Sequence, residues 1–362
     1  MDKGEIVLTI NCGSSSIKYK IFSFPSERVI DRGIVEHIGE EFSDVKNHHD
    51  GIEQVLNHIF KLGIKKEDIF VIGHRVVHGG EKFFKPTVID SKVTSEIKLL
   101  SRLAPLHNPA NLEGIRACMK ILKGIKQVAV FDTAFHHAMP KYAYMYGLPY
   151  DYYRKAKVRK YGFHGTSHSY VAMTAAKKLK KPLKSLRLIT CHLGNGCSIS
   201  AIENGRSIDT SMGFTPLEGL LMGTRSGDLD PAVVLYLMKR YNMSIETMDN
   251  VLNKKSGLLG ISGVSNDFRE LVKAREKGNK RAELAIEMFK YRILKYVGAY
   301  AMALGKIDAV VFTGGIGENV KEIRAYVGKK VKSLIGDNVK IMVIPTDEEL
   351  MIARHSYSLT KD

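Results

Sequence analysis

The sequence predicts an α/β protein of two similar halves, each a mixed sheet flanked by helices, and three observations lead there. At 362 residues and 40.4 kDa the chain is about twice the usual single-domain length, so two cores are expected. Helical and extended patterns alternate along most of it, as they do where helices cover the faces of sheets. Two stretches spaced by about 180 residues also read as variants of one structural device.

The first stretch is a β-rich run at 6–10, a small-residue turn at 11–16 and a second β-rich run at 17–22. The second repeats the scheme at 186–191, 192–198 and 199–202. Each is a hairpin signal. Asn108-Pro109 predicts a helix start, with a capping side chain and a proline at the first helical position, and Gly124 follows the basic end at Lys120 and Lys123. Asp230-Pro231 opens another helix through Val233, Val234, Leu237 and Met238. Ile286, Phe289, Ile293, Tyr296, Val297 and Tyr300 fall three or four apart and mark a long helix ending near Gly305. Residues 309–312 then form a buried strand that runs into a Gly-rich turn at 313–319.

Composition narrows the function classes. Apolar residues at 44% and charged residues at 26% are those of an ordinary globular chain and leave disorder, collagen and membrane classes without support. No apolar stretch approaches the ~20 residues of a membrane span, and no signal-peptide core follows Met1. Cys12, Cys118, Cys191 and Cys197 are too few and too scattered for a disulfide framework or a zinc ribbon, so a cytoplasmic, reducing location is expected. The net charge of +17 invites anionic partners. The run Lys177, Lys178, Lys180, Lys181 and Lys184 lacks interleaved aromatics and reads as solvated surface, not as a nucleic-acid site.

Small residues after a strand let backbone amides and hydroxyls come close to a phosphate, and three such turns in one chain suggest a nucleotide. No Gly-x-x-x-x-Gly-Lys-Ser/Thr loop occurs. Val320 stands where a dinucleotide fingerprint needs its third glycine, and no Gly-x-Ser-x-Gly elbow appears. What remains is a phosphate site made of two hairpin turns, one from each half, with the third turn for the nucleoside.

The blocks at 11–16 (NCGSSS), 74–81 (HRVVHGGE), 131–136 (FDTAFH), 162–168 (GFHGTSH), 192–196 (HLGNG), 224–231 (TRSGDLDP) and 315–319 (GIGEN) resemble the signatures of the acetate kinase family, over nearly the whole chain. The resemblance implies two actin-like, ribonuclease H-like domains with a cleft between them, one of residues 1–133 and 347–362 for acyl and phosphate groups, the other of residues 134–346 for the nucleotide. It also implies Mg²⁺ or Mn²⁺, a homodimer, and reversible transfer of the γ-phosphoryl group of ATP to acetate, giving acetyl phosphate and ADP. Propionate kinase is the near alternative, and an actin-like or chaperone-type ATPase the alternative from another class.

Bringing two anions together calls for positive charge and strict positioning. By resemblance Arg75 holds the carboxylate and Arg225 stabilises the transition state, a task that suits planar, permanently charged guanidinium groups. His164 is expected to hydrogen-bond the phosphoryl group in flight, and Asp132 to be an active-site carboxylate. A carboxylate substrate arrives ionised and needs no base, so an electrostatic or metal-positioning role suits Asp132 better than proton donation. The family assigns Asn11 and Glu348 to magnesium, and Val77, Leu106, Phe163 and Pro216 to a small acyl cup. Ser14, Ser16 and Lys18 from the first half, and His192, Leu193, Gly194, Asn195 and Gly196 from the second, are matched to phosphate. Asp267, Phe268, Arg269, Gly315, Ile316, Gly317, Glu318 and Asn319 are matched to the nucleoside. His164 with His168, and His74 with His78, are i,i+4 pairs that could suggest zinc; neither segment reads as an amphipathic helix, and the reading is set aside. The chain is expected to be shorter than family members between Asn319 and Val343 and before His74.

Overall fold

The computed structural model describes residues 4–105 and 107–361. The chain divides into two compact units, the first of Met1–His137, Gly165–Ser167 and Asp347–Asp362, the second of Ala138–His164 and His168–Thr346.

In chain order the first unit holds β1 (Glu5–Cys12), β2 (Ile17–Phe24), β3 (Arg28–Val35), α1 (His48–Lys61), β4 (Ile69–Val76), β5 (Thr87–Val88), α2 (Ser91–Leu100), α3 (Asn108–Ile121) and β6 (Lys126–Phe131). The second holds α4 (Lys141–Tyr144), α5 (Tyr150–Ala156), most of α6 (Gly165–Leu179), β7 (Arg187–Leu193), β8 (Cys197–Glu203), β9 (Arg206–Thr210), α7 (Pro231–Tyr241), α8 (Ile245–Lys254), α9 (Gly257–Ser262), α10 (Phe268–Glu276), α11 (Lys280–Leu304), β10 (Ala309–Thr313), α12 (Gly314–Asn319), α13 (Lys321–Ile335) and β11 (Lys340–Val343). The tail helix α14 (Glu348–Lys361) returns to the first unit.

The two sheets repeat one plan. The first has the order β3-β2-β1-β4-β6-β5, the second β11-β10-β7-β8-β9. In each, a three-stranded antiparallel meander (β1–β2–β3; β7–β8–β9) continues from its first strand into two parallel strands (β4 and β6; β10 and β11). That order and sense are those of the ribonuclease H-like, actin-like fold, and the expectation of two similar halves is met.

Central strands are apolar on both faces because both faces are covered. Leu8, Ile10, Ile21 and Ile72 pack with Ile52, Leu56, Ile59 and Cys118 of α1 and α3. Val7, Phe22, Val71 and Val128 pack on the other face with Ile352 and Ala353 of α14. Gly73 lets that helix approach β4: a Cβ there would lie 2.5 Å from Ser356 Oγ and 2.7 Å from Ile352 Cγ2. In the second unit Ile286, Phe289, Ile293, Val297 and Tyr300 of α11 are buried as predicted, with Asn279 capping its start and Gly305 its end.

Three local expectations need correction. Both hairpin turns are tighter than predicted, 13–16 and 194–196, because Asn11 and His192 pair in the ladders opposite Lys18 and Ser198. Their polar side chains had read as turn formers. Asn108 does not cap α3, whose N-cap is His107; its side chain accepts from His78 N and donates to His78 O, both at 3.0 Å, satisfying the buried chain leaving β4. Residues 165–168 do lie on a helix, since His164 is the N-cap of α6, in the left-handed region at φ 55°.

Candidate active site

In the first unit the site is built at the exits of the parallel strands. Arg75, one residue from the end of β4, meets Asp132, just beyond β6, because those strands are neighbours in register. Its Nε donates to Asp132 Oδ2 at 2.9 Å, its Nη2 donates to the same oxygen, and its Nη1 donates to Asn11 Oδ1 at 3.3 Å. Thr166 donates to Asp132 Oδ1 at 3.0 Å, so both oxygens of this fully buried carboxylate are engaged. Glu348, at the first turn of α14, approaches Arg75 Nε at 3.8 Å. Burial alone would lower the Arg75 pKa, but Asp132 and Glu348 more than reverse it, and the guanidinium is held charged. Burial pushes the Glu348 carboxyl up to about 7, against the pull of Arg75 and with Asp132 and Glu349 adding to the push.

The remaining first-unit candidates flank this cluster. Val77 is buried, its N–H bound to Asn111 Oδ1 at 3.0 Å, while Asn111 Nδ2 donates to Cys12 O at 2.6 Å and so ties β1 to the β4 exit. Ser14 and Ser16 lie in the tight turn closed by Gly13 N to Ser16 O at 2.7 Å, and among the described residues neither hydroxyl has a protein partner. Lys18 is exposed on β2, where its charge acts on Glu348; Lys20 instead binds Asp347 at 2.6 Å. Leu106 lies outside the described residues.

In the second unit the β7–β8 turn organises a second cluster. A Cβ at Gly196 would lie 3.5 Å from Arg225 Nη1 and 3.6 Å from His164 Nε2, so the two groups converge there. The His164 ring stacks on His192 at 4.2 Å. Arg225 is held by its loop: Met222 N bonds to Arg225 O, and Gly223 N bonds to Asn195 O at 2.9 Å, where a glycine is needed because a Cβ would collide with the Asn195 amide. Among the described residues no carboxylate lies within ion-pair distance of Arg225, whose nearest side-chain contact is Met222 Sδ at 4.0 Å, and burial lowers its pKa. A guanidinium kept away from bulk water with no counter-ion is a site waiting for an anion.

Beside this cluster is a cavity of ≈730 Å³, a nucleoside-sized volume. Gly194, Asn195, Asp267, Phe268, Arg269, Gly315, Ile316 and Asn319 line it, all expected from sequence, together with Asn266 and Val320, which were not. Asn266 donates to Asn195 Oδ1 at 3.1 Å; a lone Asn in a polar loop gives no sequence signal for that bond. Asp267 caps α10 and pairs with the exposed Arg269 at 2.6 Å, which holds its carboxyl down at about 2. Leu193 and Gly317 are buried in packing between β7 and α12, and Glu318 turns inward to accept from Gly314 N at 2.9 Å; these three sit under the cavity rather than on its wall. Phe163 is buried and Pro216 half-buried in this unit.

Members of both histidine pairs are engaged in hydrogen bonds. His164 Nδ1 and His168 Nε2 share the Ser198 hydroxyl at 2.9 and 2.7 Å. His74 Nε2 bonds to Gln127 Oε1 at 2.7 Å. Among the described residues the group of three His, Cys, Asp or Glu closest to a metal cage is His49, Asp50 and Glu53 on α1. All four cysteines are free and buried, and burial pushes the thiols up, Cys12 and Cys197 to about 12, which leaves them inert. Among the described residues no helix is long and apolar enough to cross a membrane.

With this geometry in view, the model of the Acetokinase family matches residues 6–337. An acetate kinase of Halothermothrix orenii is 50% identical over an alignment of 388 positions that takes in 96% of this chain and 98% of the relative. That alignment is longer than the 362-residue chain, so the relative carries stretches that this chain lacks. Among solved structures, the acetate kinase of Porphyromonas gingivalis superposes with a TM-score of 0.92 at 44% identity, covering 98% of this chain and 100% of that one. A propionate kinase of Francisella tularensis subsp. tularensis gives 0.93 at 42% identity, covering 98% and 99%.

Proposed function

Because the chain belongs to the Acetokinase family, we infer that it is an acetate kinase, passing the γ-phosphoryl group of ATP to acetate to give acetyl phosphate and ADP. The observation that carries the residue assignment is Arg225, charged, half-buried and without a counter-ion among the described residues, meeting His164 over Gly196. Charge spreads over the equatorial oxygens of the moving phosphoryl group, and a guanidinium with an imidazole N–H beside it answers that charge without covalent participation.

Arg75 serves the other anion. Of its five N–H donors, Asp132 takes two and Asn11 one, and the remaining two are the donors proposed for a small carboxylate. Asp132, with both oxygens engaged, works by fixing that orientation, and the reaction requires no proton from it. Val77, Leu106, Phe163 and Pro216 are the candidates for the methyl group by resemblance to the family. The nucleoside is proposed to occupy the cavity at Asn195, Phe268 and Ile316, with its phosphates at the adjoining 194–196 turn and His192; in the first unit Ser14, Ser16 and Lys18 around the 13–16 turn are further candidates for phosphate. Asn11 and Glu348 offer side-chain oxygens as ligands, the chemistry that suits Mg²⁺ or Mn²⁺. Bound there, such an ion would neutralise the β- and γ-phosphate oxygens. A cytoplasmic location, supported by four reduced cysteines, and a homodimer, supported by the family resemblance, complete the proposal.

The test is to incubate protein, ATP, Mg²⁺, acetate and hydroxylamine. Acyl hydroxamate formed in proportion to ADP supports the kinase, whereas phosphate release that ignores acetate sinks it in favour of an ATPase. A series from formate to butyrate then ranks the acyl chain, where one methylene is worth only about 1–3 kcal/mol.

A further inference from the structure

Thr190, His168 and Ser198 form a chain of buried polar groups behind His164 for which the reaction has so far given no use. Thr190 and His192 alternate onto one face of β7, and Ser198 stands opposite His192 on β8. His168 reaches the same face from one turn along α6. Its Nδ1 lies 2.7 Å from Thr190 Oγ1 and its Nε2 2.7 Å from Ser198 Oγ; Ser198 Oγ lies 2.9 Å from His164 Nδ1. Thr190, His168 and Ser198 are all fully buried.

Hydrogens are assigned here by requiring each buried hydroxyl to use its own. Among the described residues Thr190 Oγ1 has one acceptor within reach, His168 Nδ1, so that nitrogen accepts and a neutral His168 carries its hydrogen on Nε2. Nε2 then donates to Ser198 Oγ, and the Ser198 hydrogen has His164 Nδ1 as its remaining acceptor. His164 is left with its hydrogen on Nε2, the atom that faces Gly196 beside Arg225. Running the chain the other way, or protonating His164 fully, would strand the Thr190 hydrogen where no solvent reaches it. Arg225, the charged side chain that converges with the ring on Gly196 in this unit, also disfavours a positive charge on it.

We propose that Thr190, His168 and Ser198 are positioning residues, a one-way hydrogen-bond relay that keeps His164 a neutral imidazole with its hydrogen on Nε2. Its catalytic meaning rests on the reading that places His164 against the phosphoryl group. The relay divides the work there: Arg225 supplies charge, and His164 supplies a directed neutral donor that gives up no proton.

The test uses intact protein labelled with ¹⁵N-histidine, its ring nitrogens read by long-range ¹H–¹⁵N correlation in mildly alkaline buffer. Signals of His164 and His168 are assigned by their loss in His164→Gln and His168→Gln. Both rings are expected as the Nε2–H tautomer. The isosteric Thr190→Val, three hydrogen bonds from His164, is expected to mix the His164 tautomers and lower kcat several-fold with little change in KM for ATP or acetate, while Thr190→Ser behaves as wild type. A wild-type His164 with its hydrogen on Nδ1, a doubly protonated ring, or Thr190→Val spectra unchanged at His164 would each overturn the relay. The spectra judge the relay whatever the reaction; a His164→Gln variant with full turnover would instead overturn the catalytic reading of His164.

Discussion

Lowering the pH should destabilise the first unit through two histidines that flank Arg75. His74 lies within β4, fully buried, and burial holds its pKa down at about 4 despite the hydrogen bond to Gln127. His78, just beyond the same strand, is held down at about 3 by burial, and its Nδ1 accepts from Gly80 N at 3.0 Å. Both folded values lie below the unfolded histidine value of about 6.5, so the unfolded chain binds more protons and gains as pH falls. Stability from these groups is intact above about pH 6.5 and drains at about 1.4 kcal/mol per pH unit per histidine until each folded pKa is reached. Between about pH 7.5 and about pH 4.5 the pair should withdraw about 5 kcal/mol, of the order of a small domain's entire stability. Urea titrations followed by circular dichroism at the two pH values measure the loss, and His74→Gln should reduce it by about half of that amount. If wild type and variant lost stability in parallel, the histidine would be protonated in the folded chain and the burial argument would fail.

Three further outcomes follow from the site. Arg225→Lys keeps the charge but loses the paired planar donors, and turnover measured by hydroxamate formation should fall by on the order of 10³ with the KM for ATP within a few-fold; a fall below about ten-fold would remove Arg225 from the transition state. Asp132→Asn leaves Arg75 without its orienting charge, so the KM for acetate should rise about ten-fold or more while that for ATP holds, as steady-state kinetics would report. Gly213→Ala places a methyl group against the Glu218 carboxylate and Tyr146 hydroxyl, which with Lys160 brace the chain before Pro216; thermal melts should show a loss of about 2–4 kcal/mol, and an unchanged melt would refute the brace.

Much of this was legible in the sequence because it rests on periodicity and punctuation. The α11 stripe and its Gly305 end, the Asp230-Pro231 start of α7 and the strand-to-helix turn at Gly314 each depend on local residue chemistry, and the structure has them where local chemistry puts them. The site blocks were legible through their resemblance to the signatures of a known family. What escaped is carried by long-range partners. Asn108 turned from a cap to a brace because His78, 30 residues away, has buried backbone to satisfy. Asn266 reaches Asn195 across 71 residues, and the 165–168 helix hides behind Gly165 and a left-handed His164, both of which look like a loop when read alone.

The two arginines carry the same charge but different electrostatics, and the difference argues for their separate tasks. Arg75 is compensated: Asp132 cancels most of its field, so in the proposed role a carboxylate would gain little from charge and would be chosen by donor geometry. Such a site can release its ligand easily, because the guanidinium returns to a balanced cluster. Arg225 has no such balance among the described residues, and its desolvation is relieved only when an anion arrives. Its attraction therefore grows with the negative charge presented, which is greatest for a phosphoryl group in transit and least for a singly charged carboxylate. Exchanging the two environments would give tight binding of acetate and a weakly stabilised transition state, the reverse of what turnover needs.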